Sequence, residues 1–391
     1  MTIYLDTSAT TPVDPKVVKA MQPYFSELYG NPGSMHNKGL EASNSLEEAR
    51  EKISKILNCQ PEDIIFTGSG TESINLALKG YALRNRKKGN HIITTTIEHH
   101  AVLDTLEYLT KQGFEVTQIP VEKNGIVLID KIKQAIREDT ILISVMYANN
   151  EIGTLQPIKE ISQIAKQKGI IFHTDACQAP NSETLDVNEL GIDMLSLNGS
   201  KIYGPKGVGC LYRKKGINLE ALIHGGGQEF NLRSGTENIP NIVGFTKALE
   251  IAQSSREEYT KRITELRDYL VKGLLKINNT LLNGDPEKRI PNNVNVAFLN
   301  VEGEAILLDL DEEGICASSG SACTSKSLDP SHVILAMGGP YEVAQGSIRF
   351  SLSKYTTKEE LDYVIEKVPG IIKRLRKFSP VKINKEELQN E

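Results

Sequence analysis

Cysteine is scarce in this sequence: five residues among 391, Cys59, Cys177, Cys210, Cys316 and Cys323. An odd, scattered set excludes a disulfide framework and fits a reducing compartment, so a cytoplasmic location is expected. No Cys-x-x-Cys pair and no His-Glu-x-x-His occurs, which leaves a zinc site without support. No apolar run approaches the length of a membrane span. The opening MTIYLDTSATT has no basic stretch followed by an apolar core, so no signal peptide is expected. Neither charge sign dominates: 45 Lys and Arg stand against 50 Asp and Glu, a net charge of −5. That balance argues against nucleic acid as the main partner. The phosphate-loop pattern G-x-x-x-x-G-K-[ST] is missing, and Gly68-Ser69-Gly70 lacks the third glycine of a dinucleotide fingerprint. No internal repeat and no low-complexity segment is found.

What is present reads as a globular α/β protein. Hydrophobic residues make up 39% and charged residues 24%. The length is large for one core, so two domains are expected. Seven strand-like runs cover 64–67, 91–96, 114–119, 141–147, 170–175, 193–198 and 208–212. Helical patterns separate several of them, at 73–86, 129–138 and 158–168, and another precedes the first at 46–57. This alternation predicts a mostly parallel sheet covered on both faces. One long helical pattern, 240–278, holds the expected domain boundary. Beyond it, alternation at Val294, Val296 and Phe298 and at Ile348, Phe350 and Leu352, with helical stretches near 303–312 and 357–377, predicts a smaller α+β domain.

In an open α/β sheet, ligands bind beyond the carboxyl ends of the strands. The residues there are therefore the candidates. After 64–67 comes Gly68-Ser69-Gly70-Thr71, a helix start that taken alone reads as a plain cap and otherwise as an anion site. His99 follows 91–96, Asn150 follows 141–147, Asp175 ends 170–175, and Gln178 lies one turn later. A carboxylate at the end of an apolar run needs a partner. Lys201 follows 193–198 in SLNGSKIYGPKGVG, between small residues and ahead of a glycine turn. A surface charge is the ordinary reading of a lysine. A Schiff-base lysine needs this kind of rigid seat with small neighbours. An amine, a carboxylate, an imidazole, an amide and an anion cup together suit pyridoxal 5'-phosphate.

Two further stretches stand out. Cys323 sits in SSGSACTS, residues 318–325, which has nothing to build a core with, so it reads as a nucleophile. Cys210, inside a strand, reads as a small core residue. Arg349 in GSIRF is either a surface charge or a clamp for a carboxylate.

With these motifs on hand, the chain resembles the cysteine desulfurases of the NifS/IscS type, class V aminotransferase-like enzymes of fold type I. The resemblance rests on YLDTSATTPVD, YGNPGS, FTGSGTESINLALKG, EHHAVLD, NNEIGTLQPI, TDACQ, KIYGPKGVG, RSGTEN, SSGSACTSKSLDPSHV and SIRFSLS, and covers nearly the whole length. It implies a large domain over 16–256 with a seven-stranded, mostly parallel sheet. A small domain would take 1–15 and 257–391 and carry the cysteine loop, about 316–330. It implies Lys201 as the Schiff-base lysine and proton carrier, Asp175 on the pyridinium nitrogen and His99 on the ring. Gly70, Thr71, Asn198 and Ser200 would bind the phosphate, with Thr236 reaching over from the other subunit of a homodimer. Asn150 and Gln178 would contact the ring and its phenolic oxygen. Asn31 and Arg349 would hold the carboxylate of L-cysteine. Cys323 would take the sulfur as a persulfide, release alanine and pass the sulfur to an acceptor protein, such as an iron–sulfur scaffold or a tRNA-thiolation relay. No resident metal is implied, with Cys323 left open as a transient iron–sulfur ligand.

The sequence departs from the family at Ser200 and Gln228, where histidine is usual, and at Gly33, where serine is common. Ser200 still offers one hydrogen bond but no imidazole. The expectation is weaker cofactor retention with the chemistry intact. The rival readings are a selenocysteine lyase, another aminotransferase-like enzyme, and a catalytically impaired scaffold for iron–sulfur assembly.

Overall fold

The structure, a computed structural model, describes residues 2–320, 330–379, 383 and 385. Seven strands form the main sheet: β1 (Ile64–Thr67), β2 (His91–Thr95), β3 (Glu115–Ile119), β4 (Thr140–Ser144), β5 (Ile171–Asp175), β6 (Met194–Asn198) and β7 (Gly209–Arg213). Their order across the sheet is β1-β7-β6-β5-β4-β2-β3. Only β7 runs antiparallel to its neighbours, pairing Thr67 and Asn198 with Gly209. The sheet is seven-stranded and mostly parallel, as expected.

Both faces are covered, and the sequence shows why. In β1, Ile64 and Phe66 point to one core and Ile65 to the other; in β4, Ile143 and Leu142 divide in the same way. This is the period of two that a pleated strand imposes. The first face packs against helices α1 (Asn37–Leu57), α4 (Ile158–Lys168) and α5 (Ile239–Ser254). The second packs against α2 (Gly70–Asn85) and α3 (His100–Lys111). Helix α2 starts where the Ser69 hydroxyl accepts the Glu72 N–H, and α4 stops at Gly169 in the left-handed region.

The long helical pattern at 240–278 is two helices. Helix α5 ends at Ser254, and α6 (Arg256–Leu274) begins after the kink at Ser255. The pattern spans the break because each half carries its own apolar stripe. Phe245 and Leu249 face the main sheet, whereas Ile263 and Leu270 face a separate core. That second core lies on a three-stranded antiparallel sheet, β8 (Thr280–Leu282), β9 (Asn293–Phe298) and β10 (Ser347–Ser351), with β9 in the middle. Helices α7 (Gly303–Glu312) and α8 (Lys358–Leu375) complete it. The chain start joins it: Ile3–Tyr4 pairs in parallel with Ile315–Cys316, and Ile3 and Leu5 are buried there.

Two expected elements are shorter than read. The helix expected over 129–138 ends at Ala135, because Ile136 is extended. The strand expected over 141–147 ends at Ser144, although Val145 and Tyr147 still donate to the carbonyls of His173 and Asp175.

Candidate active site

Strands β1, β2, β4, β5 and β6 all point their carboxyl ends to one side, so the loops after them meet. They enclose a cavity of about 200 Å³. From the expected residues, Gly70, Thr71, His99, Asn150, Asp175, Gln178, Asn198, Lys201 and Arg349 line it. Ser200, Thr236 and Asn31 lie outside the lining. The Ser200 hydroxyl bonds Asn198 Oδ1 at 3.2 Å, Thr236 is exposed, and Asn31 Oδ1 accepts the Gly33 N–H at 2.9 Å. Gln228 Oε1 accepts the Gly235 N–H at 3.0 Å. Cys323 lies outside the described residues.

Lys201 ends a single 3₁₀ turn, Gly199–Lys201, in which Asn198 Oδ1 accepts the Ser200 N–H at 3.1 Å. Its ammonium reaches the Ala9 carbonyl. The cap and the turn fix the backbone, so the amine is aimed rather than free to sweep. Asp175 ends β5 and is 6% exposed; its Oδ1 accepts the Cys177 N–H at 3.0 Å. His99 caps α3, with Nδ1 accepting the Ala101 N–H at 3.0 Å. That bond places the ring proton on Nε2. Gln178 Nε2 donates to the Ser8 carbonyl at 3.0 Å and so ties the β5 loop to the chain start.

Arg349 is nearly inaccessible. Nη2 meets Asp6 Oδ1 at 2.8 Å, and Nη1 donates to the Asn150 carbonyl at 3.0 Å. The surface-charge reading of Arg349 is thereby excluded. Nothing local in the sequence marked Asp6 as its partner. Nor did local reading find Ser8 and Ala9, or Cys177, which forms part of the cavity floor. A Cβ on Gly70 would come within 2.7 Å of Cys177 Sγ and 3.2 Å of Asn198 Cβ, so a larger residue here would displace side chains of the cavity. Gly209 does require glycine, because a Cβ there would meet the Leu197 carbonyl oxygen at 2.6 Å and the Ser69 backbone.

The donor set fits a phosphorylated pyridine. A helix N-terminus opens on the cavity at one end, and a carboxylate and an amine stand within it. Ser8 Oγ and Arg349 Nε are buried without hydrogen-bond partners among the described residues, which suits a polar occupant.

The family model described as aminotransferase class-V matches residues 3–364. The chain belongs to the class-V aminotransferase family. It is 53% identical over 379 residues to the cysteine desulfurase IscS of Methanosarcina thermophila, covering 97% of this chain and 94% of that one. It is 52% identical over 381 residues to the cysteine desulfurase IscS of Dictyoglomus turgidum, covering 97% of each. Among solved structures, a NifS-like protein superimposes with a TM-score of 0.91 at 42% identity, covering 96% of this chain and 100% of the other. SspA, solved in complex with cysteine, gives 0.80 at 37% identity, covering 91% and 100%.

Among the buried titratable groups of this class-V family member are Glu98 and His173. Glu98 is fully buried and accepts bonds from the Thr95 hydroxyl at 2.6 Å and from the Met146 N–H. Burial outweighs those bonds and, with Asp175 nearby, pushes its carboxyl up to about 8. His173 bonds the hydroxyls of Ser144 and Ser196 at 2.9 and 3.0 Å, and burial pushes its ring down to about 4. The folded chain therefore holds an extra proton on Glu98 between the ordinary 4.5 and about 8, and lacks one on His173 between about 4 and the ordinary 6.5. Glu98 makes stability fall as pH rises; His173 makes it rise. Above 6.5 only Glu98 of this pair still acts. We expect the denaturant midpoint of the cofactor-free protein to fall between pH 6.5 and 8, and Glu98→Gln to flatten that slope. An unchanged slope in the variant would show that Glu98 is not its source.

Proposed function

We propose that this chain is a pyridoxal phosphate-dependent cysteine desulfurase, which converts L-cysteine to L-alanine and passes the sulfur on. The observation that carries this reading is the meeting of Lys201 and Asp175 at one helix-capped cavity. The cysteine desulfurase names of the relatives and the cysteine complex of SspA support the substrate. The two-domain division is 16–256 against 1–15 with 257–391.

When bound, pyridoxal phosphate supplies an electron sink for bond breaking at the substrate's carbon. Lys201 would hold it and move protons. Asp175 would keep the ring nitrogen protonated, and His99 would supply its imidazole beside the ring. Gly70, Thr71 and Asn198 would hold the phosphate, with Ser200 supporting Asn198 through its hydroxyl, while Asn150 and Gln178 would orient the ring. Arg349 would bind the substrate carboxylate; Asn31, which lies outside the cavity lining, would have to move to join it. Asp6 and the Asn150 carbonyl hold the Arg349 guanidinium at the cavity wall. The Cys323 thiolate attacks the substrate sulfur. The S–S bond forms as the C–S bond breaks, and the electron pair left on carbon takes a proton to give alanine. An acceptor protein then takes the persulfide sulfur, in iron–sulfur assembly or tRNA thiolation.

The functional unit is a homodimer in the cytoplasm. Val18, Phe25, Tyr29, Met35 and Leu40 expose large apolar side chains within one stretch of chain, and a second copy covering them also brings Thr236 to the site. No described helix is long and apolar enough to cross a membrane.

The test is alanine release from L-cysteine by the purified protein with pyridoxal phosphate and a reductant, beside Cys323→Ala. Alanine that depends on Cys323 is the expected result. Cofactor uptake without alanine would reassign the substrate; no uptake and no alanine would overturn the reading.

A further inference from the structure

Strand β1 runs through Gly68 into α2, whose first residues Gly70 and Thr71 face the cavity. Glu72 puts a carboxylate in that first turn. Its Oε2 accepts the Gly68 N–H at 2.8 Å, and its Oε1 accepts Arg233 Nε–H at 2.9 Å. An acidic side chain suits the dipole of an empty helix start, but it repels an anion bound at the same end. Arg233 cancels that charge. Its Nη2 would lie 3.7 Å from a Cβ on Gly68, so the guanidinium lies over the turn that leads into the anion cup.

Arg233 follows an unusual run of backbone. Glu229, Phe230 and Asn231 all have positive φ, 46°, 59° and 62°. None is glycine, and the left-handed backbone is strained at Glu229 and Phe230. Glu229 Oε2 accepts the Phe66 N–H at 2.7 Å, on the strand that enters the cup. Two carboxylate-centred contacts, Glu229 to Phe66 and Glu72 to Arg233, therefore join this strained segment to one strand–turn–helix unit.

We infer that Arg233 is a positioning residue for phosphate binding: it neutralises Glu72 and holds it in its bond to Gly68, which leaves the start of α2 receptive to a dianion. The inference rests on the pyridoxal phosphate reading. Neither Arg233 nor Glu72 lines the cavity, so the effect acts through charge and through the turn.

Phosphate dependence separates this role from plain structural support. Cofactor-free wild type, R233Q, E72Q and the R233Q/E72Q double variant are titrated by absorbance with pyridoxal phosphate and with pyridoxal, which lacks the phosphate. R233Q weakens pyridoxal phosphate binding about tenfold, within the usual range of a site-to-site coupling, and pyridoxal by less than about twofold. E72Q, which keeps an acceptor for Gly68, binds pyridoxal phosphate at least as tightly as wild type. The double variant recovers to within about threefold of wild type, because no charge is left uncompensated. Equal loss for both ligands in R233Q, or a double variant no better than R233Q, overturns the inference. If R233Q does not fold, E72Q decides: weaker pyridoxal phosphate binding than wild type overturns the inference as well. Wild type that takes up neither ligand overturns the functional reading along with it.

Discussion

Alanine at position 201 lowers alanine production from L-cysteine by about 10²–10⁴-fold, the range ascribed to a positioned proton-transfer group. The reason lies in how Lys201 is mounted. Asn198 caps the turn, the turn fixes the lysine backbone, and the amine reaches across to the Ala9 carbonyl at the cavity wall. Among the described residues no other lysine lines the cavity, so none of them can stand in. Lys201→Arg separates two roles. It keeps a cation against Ala9 but cannot form a Schiff base or release its proton near neutral pH. Both variants are therefore expected to lose activity, with Lys201→Arg the more stable in denaturant. If Lys201→Arg kept more than about a tenth of wild-type activity, against the 10²–10⁴-fold expected, the lysine would be acting only as a charge.

Much of the site was legible because strand ends announce themselves. An apolar run that stops at Asp175, or at Asn198 ahead of Lys201, marks a carboxyl end, and in a parallel sheet all such ends face one way. The Ser69 cap and the glycine at 70 were visible for the same reason. What local reading missed was what tertiary pairing supplies. Asp6 and Arg349 lie 343 positions apart, and only the folding of the chain start onto β10 joins them. Cys177 looks like any half-buried cysteine until Gly70 is placed against it. The break at Ser255 was hidden because the two helices share a continuous apolar periodicity while serving different cores. The positive φ angles at 229–231 had no glycine to signal them.

That last segment carries the second large effect. Glu229→Gln destabilises the fold by about 3 kcal/mol, the low end of the cost of breaking a buried ion pair, because Glu47 Oε1 still stands 3.5 Å from Arg50 Nε. Arg50 and Glu229 are 3% and 2% exposed in their side chains, with Arg50 Nη2 and Nη1 at 2.7 and 3.0 Å from the two carboxylate oxygens. The guanidinium also donates to the Ile64 carbonyl at 2.5 Å and lies 4.9 and 5.0 Å from the ring centres of Phe66 and Phe230. Glutamine keeps an oxygen for the Phe66 N–H but removes the charge, so the loss reports the ion pair rather than the hydrogen bond. Removing both charges, as in Arg50→Met with Glu229→Gln, is expected to cost less than the single change, since no buried charge then lacks a partner. Denaturant unfolding of the three proteins at one pH measures this. A single variant within about 1 kcal/mol of wild type would mean that water reaches Arg50 and screens it, as at exposed pairs. The positive-φ turn at 229–231 would then be held by its packing, with Phe230 against Arg50, and not by charge.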